Sequence, residues 1–248
     1  MYLTKRIDIL LLFVSVFLIS LLSVSKIAKA QSLPISYDFE NEEITDWYIR
    51  SGNWSVQNEL GSKRFGASIQ NICHTSVESR IGNSGWTDYE INLDILPTAG
   101  TDRNIAFRAT AQRITAFSLN LPVAYALHMS SGYVTMQKFV SGPDNIEEYD
   151  SYKSGGFPLN TNTHLKIQLV GRNIKVFLGN DIDPIINWTD NSLTPILSGN
   201  LALIITTGGD CTSEVWFDNV TVTEISDATP TPTPTFTPTP TPTSTPTS

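Results

Sequence analysis

The sequence predicts an all-β domain, a two-sheet antiparallel jelly-roll β-sandwich, and three observations predict it. Apolar and polar residues alternate at period two in many short stretches, while few windows show the spacing of an amphipathic helix. Turn-forming Gly, Asn, Asp and Pro separate those stretches. Between two ends of different composition, residues 31–227 have the length of one sandwich with its own core.

Residues 1–30 read as a secretory signal peptide. Lys5 and Arg6 precede an apolar run from Ile9 to Val24, and Ala28-Lys29-Ala30 supplies the small-residue cleavage pattern, so cleavage is expected before Gln31. The run holds 16 residues, short of the roughly 20 of a spanning helix. No later segment is apolar enough to span a bilayer, so no membrane insertion is expected after cleavage. Residues 228–248 are almost entirely Thr, Pro and Ser. Such a run buries too little surface to offset its ordering entropy, and Pro extends it, so a disordered Thr-Pro linker or tail is expected, leading to further domains or to a cell surface.

Loss of the signal removes four of 16 basic residues and one of 24 acidic ones, leaving 12 against 23. That balance argues against nucleic acid, whose phosphates nothing here would neutralise, and against anionic membranes. The two cysteines, Cys73 and Cys211, would meet an oxidising environment after export. Because closing so long a loop stabilises by about 4 kcal/mol in the chain-entropy model, a Cys73–Cys211 disulfide is expected.

The strands follow in order. Trp54 to Val56 comes first. Tyr89, Ile91, Leu93 and Ile95 then alternate with Asp88, Glu90, Asn92 and Asp94, one row for a core and one for the opposite face. Further strands read at Ile105 to Ala109, Tyr125 to Met129, Val134 to Phe139, Leu165 to Val170, Ile174 to Leu178, Leu201 to Thr206 and Val215 to Thr223. Ser131-Gly132, Gly142-Pro143, Gly171-Arg172-Asn173 and Gly179-Asn180-Asp181 supply turns, the third joining the clearest hairpin. Trp54, which shares a face with Val56, and Trp86, just before the Tyr89 row, are core candidates. Trp47 and Trp188 lie in segments too irregular to assign.

Several short phrases follow one another in a familiar order: Tyr37-Asp38-Phe39-Glu40, Gly52-Asn53-Trp54-Ser55-Val56, Asp88-Tyr89-Glu90-Ile91, Phe107-Arg108 and Val215-Trp216-Phe217-Asp218-Asn219-Val220. Together, over residues 35–224, they resemble the concanavalin A-like lectin/glucanase superfamily, especially its laminin-G-like and keto-disaccharide-hydrolase-like members. The resemblance implies two antiparallel sheets, one concave, with the first and last strands adjacent, and glycans as ligands or substrates. The opening and closing phrases also resemble jelly-roll carbohydrate-binding modules, in which acidic residues near the termini hold a structural calcium. Glu40 and Asp218 are the metal candidates on that basis, since a hard cation takes six to eight oxygens.

Laminarinase-type members carry Glu-x-Asp-x-x-Glu on one strand, because a retaining glycosidase needs two carboxyl groups about 5 Å apart. The sequence has no such run; the nearest approach is Glu90 with Asn92 and Asp94. His74, His128 and His164 lack metal-ligand spacing, and there is no Gly-x-Ser-x-Gly or phosphate-cradling loop. Glycan binding needs an aromatic plate and planar polar side chains. Register offers Glu90, Asn92, Arg108, His128, Gln137 and an outward Trp216 as that set, although Trp216 could equally be covered by a loop and Arg108 paired with Glu90. The expected function is a secreted, non-catalytic module that binds a polysaccharide or glycoconjugate on its concave sheet. The alternatives are a glycoside hydrolase with an atypical set from Glu90, Asp94 and Arg108, and a laminin-G-like adhesion module. Asn53, Asn187 and Asn219 begin N-glycosylation acceptor patterns.

Overall fold

The computed structural model describes residues 31–226, except 117–118, 131, 141–145 and 153–156. The expected signal peptide and the Thr-Pro tail lie outside the described residues, as does the Gly142-Pro143 turn.

The first half of the chain forms β1 (Ile35–Tyr37), β2 (Tyr48–Ser51), β3 (Trp54–Glu59), β4 (Ser62–Ile69), β5 (Ser76–Ile81), β6 (Tyr89–Ala99), β7 (Arg103–Ala109) and β8 (Arg113–Ala116). The second half forms β9 (Leu119–Pro122), β10 (Ala124–Met129), β11 (Val134–Phe139), β12 (Ile146–Tyr152), β13 (Thr163–Val170), β14 (Asn173–Leu178), β15 (Ile186–Thr189), β16 (Asn200–Thr206) and β17 (Ser213–Glu224). A first sheet runs β15-β14-β13-β6-β17-β4-β3, with β1 paired to the far half of β17. A second sheet runs β12-β11-β10-β7-β16-β5-β2, and β8 and β9 form a separate hairpin. All pairings are antiparallel. This is the expected jelly-roll sandwich, with the first and last strands adjacent.

Period-two alternation makes these strands because each pleat sends one row of side chains inward. In β6, Tyr89, Ile91, Leu93 and Ile95 are fully buried and meet Leu165, Ile167 and Leu169 of β13 and Val222 and Phe217 of β17. The second sheet answers with Ile105, Phe107, Leu127, Met129, Val134, Met136, Leu203 and Ile205. At one end Phe39, Trp47, Trp54 and Phe65 pack ring against ring, with centroids 5.0 to 6.0 Å apart. Trp54 and Trp86 are buried as expected, and Trp47 joins them. The β13–β14 hairpin turns on Gly171, whose φ of 53° lies in the left-handed region.

One buried polar unit fixes the long connection before β16. Lys138 and Asp190, each 1% exposed, form an ion pair at 2.9 Å. Tyr125 donates its hydroxyl proton to the same carboxylate and accepts from Ile196 N, while Lys138 also reaches Ser192 Oγ and the Thr194 carbonyl. Burial alone would raise the Asp190 carboxyl; hydrogen bonds from Ser192, Tyr125 and Lys138 outweigh it and hold the group at about 2. The cysteines pair as expected, Cys73 with Cys211, across a sequence separation of 138.

Candidate functional site

The outer face of the second sheet has a floor of small residues. Ala106, Ala126 and Ala202 stand opposite one another on β7, β10 and β16. Because these side chains are short, the β8–β9 hairpin comes down onto the sheet and buries Ile114, Ala116 and Leu121 against them, with Ile204 and Phe139. Arg113 at the base of the hairpin pairs with the buried Glu78 of β5 at 2.8 Å, and its guanidinium also donates to the carbonyl of Asn120 across the hairpin.

Beside this hairpin lies an open pocket of about 290 Å³. Leu119, Leu121, Phe139 and Ile146 form its apolar wall, and its polar lining includes His74, Asp102, Asn104, His128, Gln137 and Thr206. Strand register brings these groups together: Asn104 stands opposite His128, and Gln137 opposite Ala126 one step along. Asn104 donates to Thr206 Oγ1 at 3.3 Å, and its carbonyl oxygen lies 3.3 Å from His128 Nδ1. His128 Nε2 stands 3.8 Å from Asp102 Oδ1, and its ring lies 5.9 Å from that of the part-exposed Tyr133. The rim is held by the disulfide. Ile72 N donates to the Cys211 carbonyl, and the Thr207 hydroxyl bonds both Ile72 O and Thr75 N, so His74 and Gly208 sit on two loops tied together. An apolar wall facing planar amides, an imidazole, hydroxyls and a carboxylate matches the two surfaces of a sugar ring, its C–H face and its hydroxyls.

The six residues offered by the sequence do not converge. His128 and Gln137 line this pocket. Glu90 and Asn92 lie on the outer face of the first sheet, where the Glu90 carboxylate accepts from the Asn92 amide at 2.9 Å and from the Gln168 amide at 2.8 Å. Trp216 points out of the core as its register requires, yet it is 1% exposed: it stands opposite Gly66 and the buried Leu96, so it offers no plate to a ligand. Arg108 is fully buried on a bulge with φ 48°, which breaks the alternation that would turn it outward. Its guanidinium donates to the carbonyls of Thr87, Gly171 and Ile196 and to Asp88, fastening three loops, and does not pair with Glu90. Glu90 and Asp94 are four residues apart on β6, about 13 Å along an extended strand. That separation suits neither a retaining nor an inverting carboxylate pair. Asp94 is engaged instead with His164 Nδ1 and the Asn219 amide, both at 2.8 Å.

Glu40 and Asp218 do meet. Ser62 Oγ lies 3.0 Å from Glu40 Oε1 and 2.7 Å from Asp218 Oδ2. Two carboxylates, a hydroxyl and the Glu40 carbonyl are hard oxygen donors of the kind calcium prefers. The chain's own cations already face them, however: Lys63 Nζ lies 3.0 Å from the Glu40 carbonyl and 2.9 Å from Glu42, and Arg64 lies 3.9 Å from Asp218. Among the described residues no group of three or more His, Cys, Asp or Glu gathers as a metal site.

The sequence reading missed Asp102, Asn104, Thr206 and the hairpin. Ile114 and Ala116 with Leu119 and Leu121 carry a short alternation that could have revealed β8 and β9. Asn104 follows from extending the Ile105 to Ala109 strand by two residues.

No family model matches the chain, and no curated protein matches it. Solved structures do. A carbohydrate-binding module of Bacillus subtilis, of the class numbered 66, aligns over 72% of this chain and 95% of its own at 18% identity, with a TM-score of 0.52. The exoplasmic/lumenal domain of VIP36, solved in a Ca2+/Man3GlcNAc-bound form, aligns over 79% and 90% at 9% identity and 0.55. A structure described with the endo-acting O-glycanases that prominent human gut microbiota members express to initiate mucin breakdown aligns over 77% and 99% at 13% and 0.53. At these identities the likeness carries the fold alone, the two-sheet antiparallel jelly-roll sandwich that the sequence led us to expect.

Proposed function

We propose that the chain is a secreted, non-catalytic carbohydrate-binding module that holds a polysaccharide or glycoconjugate on the outer face of its second sheet, in the pocket of Asn104, His128, Gln137 and Thr206. The observation that carries this reading is the convergence of those polar side chains opposite the Leu119–Leu121 wall, which the hairpin brings down beside them. Neighbours of the same fold, one a carbohydrate-binding module and one solved with Man3GlcNAc bound, support it, and the disulfide supports export. In this reading the signal peptide delivers the module outside the cell, and the Thr-Pro tail spaces it from a further domain or a surface.

A glycan array followed by titration calorimetry tests it. His128→Ala or Gln137→Ala should weaken binding roughly ten-fold, the worth of one or two hydrogen bonds to sugar hydroxyls, while Trp216 and Arg108 act only through stability. A ligand whose affinity ignores both pocket substitutions would refute the site, and release of reducing sugar from that ligand would refute the non-catalytic assignment. The Glu40–Asp218 pair is the place proposed for a structural calcium; the melting temperature should then rise with calcium, fall with chelator, and become indifferent to both in Asp218→Asn.

A further inference from the structure

A second polar cluster stands on the same face, at the other side of the hairpin. Arg50 of β2, Arg80 of β5 and Arg113 of β8 all turn their guanidinium groups on the buried carboxylate of Glu78. One negative charge therefore answers three positive ones, and the ion pairs of all three arginines among the described residues end on Glu78. Arg80 Nη2 and Arg113 Nη1 are shielded from water and find no acceptor among the described residues. Buried, unpartnered guanidinium N–H groups are costly. The protein as a whole carries a formal charge of −8, so a local excess of two positive charges runs against its general field.

The cluster adjoins a shallow pocket of about 180 Å³ lined by Tyr48, Arg80 and Asn200, which sets a part-exposed ring beside an amide and a guanidinium. It is also in line with the first pocket. Glu78, Ile204, Asn104 and His128 stand opposite one another on four neighbouring strands, and three strand spacings amount to about 14 Å. Ile204 between them is buried under the hairpin, so an oligosaccharide that reaches from the imidazole to the guanidinium groups lies over the hairpin and not on the strands themselves.

We propose that this arginine cluster is an anion subsite of the same binding face, and that the glycan recognised is an acidic one, carrying a carboxylate or sulfate group that seats against Arg50 and Arg113. The inference rests on the glycan-binding reading above. Guanidinium forks match planar carboxylates and sulfates with paired, charge-assisted hydrogen bonds. Because the rest of the protein repels anions, long-range attraction cannot produce the preference; the local cluster must.

Calorimetric titration with oligogalacturonate, its carboxyl-reduced neutral counterpart and a sulfated galactan oligosaccharide tests the proposal, on the whole chain at low and high salt. At least one acidic ligand should bind about ten-fold or more tightly than the neutral one, and high salt should reduce that preference. The carboxylate and sulfate arms identify which oxyanion is taken. Arg50→Gln should abolish the preference while leaving neutral-glycan affinity and melting temperature unchanged, and Arg50→Lys should restore only part of it. Equal affinity for acidic and neutral ligands, or a preference that survives Arg50→Gln, overturns the anion subsite and leaves the module standing. Binding of no glycan, acidic or neutral, overturns both.

Discussion

Replacing both cysteines by serine should destabilise the domain by about 5 kcal/mol, and the size of that loss follows from the loop the bridge closes. Cys73 and Cys211 are 138 residues apart, and in the chain-entropy model a closed loop of that length lowers the entropy of the unfolded chain by about 17 cal/mol/K. The folded side changes little: Cys73 is exposed, and the two loops remain joined by the bonds among Ile72, Thr75, Thr207 and Cys211. An unfolding entropy of about 2.1 cal/mol/K per residue over a domain of about 200 residues converts this to a melting temperature lower by roughly 12 °C. Calorimetry of the double variant, with the parent measured oxidised and reduced, checks it. Because the effect lies in the unfolded chain, the reduced parent should coincide with the double variant. A double variant melting within about 3 °C of the oxidised parent would refute the argument.

Other outcomes follow from the buried pair. Lys138→Ala leaves Asp190 buried without its cation and should cost about 3–5 kcal/mol in urea unfolding, whereas the paired change Lys138→Met with Asp190→Asn should recover much of it. Acid should act through the same carboxyl. Its folded value of about 2 lies below its unfolded one, so the stability it contributes is present above the unfolded pKa and is lost as pH falls from about 5 toward 2. Asp190→Asn should flatten that part of the profile, and an unchanged acid limb would contradict the assignment. Gly66→Ala should destabilise by about 1–3 kcal/mol or more, because the added carbon would stand 2.6 Å from the Trp216 ring and against the Val215 carbonyl; a variant as stable as the parent would show that the strand is free to shift.

Long strands with one dry face were legible, and Val134–Phe139 is read from the sequence to the residue. The strands that escaped lack that contrast. β2 is exposed at all four positions, and β4 carries Arg64 and Gly66 on its outer row, where a buried arginine and a glycine under an indole hide the alternation of Phe65, Ala67 and Ile69. For the site, register fixed the side of the sheet but not what covers it. It turned His128 and Gln137 to the outer face of one sheet, where both line the pocket, and Trp216 outward on the other, where the chain buries it. At Arg108 the failure was local, since a single left-handed residue in a bulge ends the period-two rule. The pocket itself depends on β7, β10, β11 and β16 lying side by side and on a hairpin that lands on them, relations between distant segments that no local pattern carries.

The pairing of β1 with β17, Ile35 opposite Val222 and Tyr37 opposite Val220, has a mechanical consequence. The two ends of the domain leave side by side, so a pull applied between them peels the three backbone rungs of β1 one after another and frees that strand at low force. If a glycan is held at the second sheet as proposed, a pull between it and the chain beyond β17 loads β17 along its length, where β6 and β4 flank it and many rungs must give together. On that reading the same domain is weak as a link within a stretched chain and strong as an anchor.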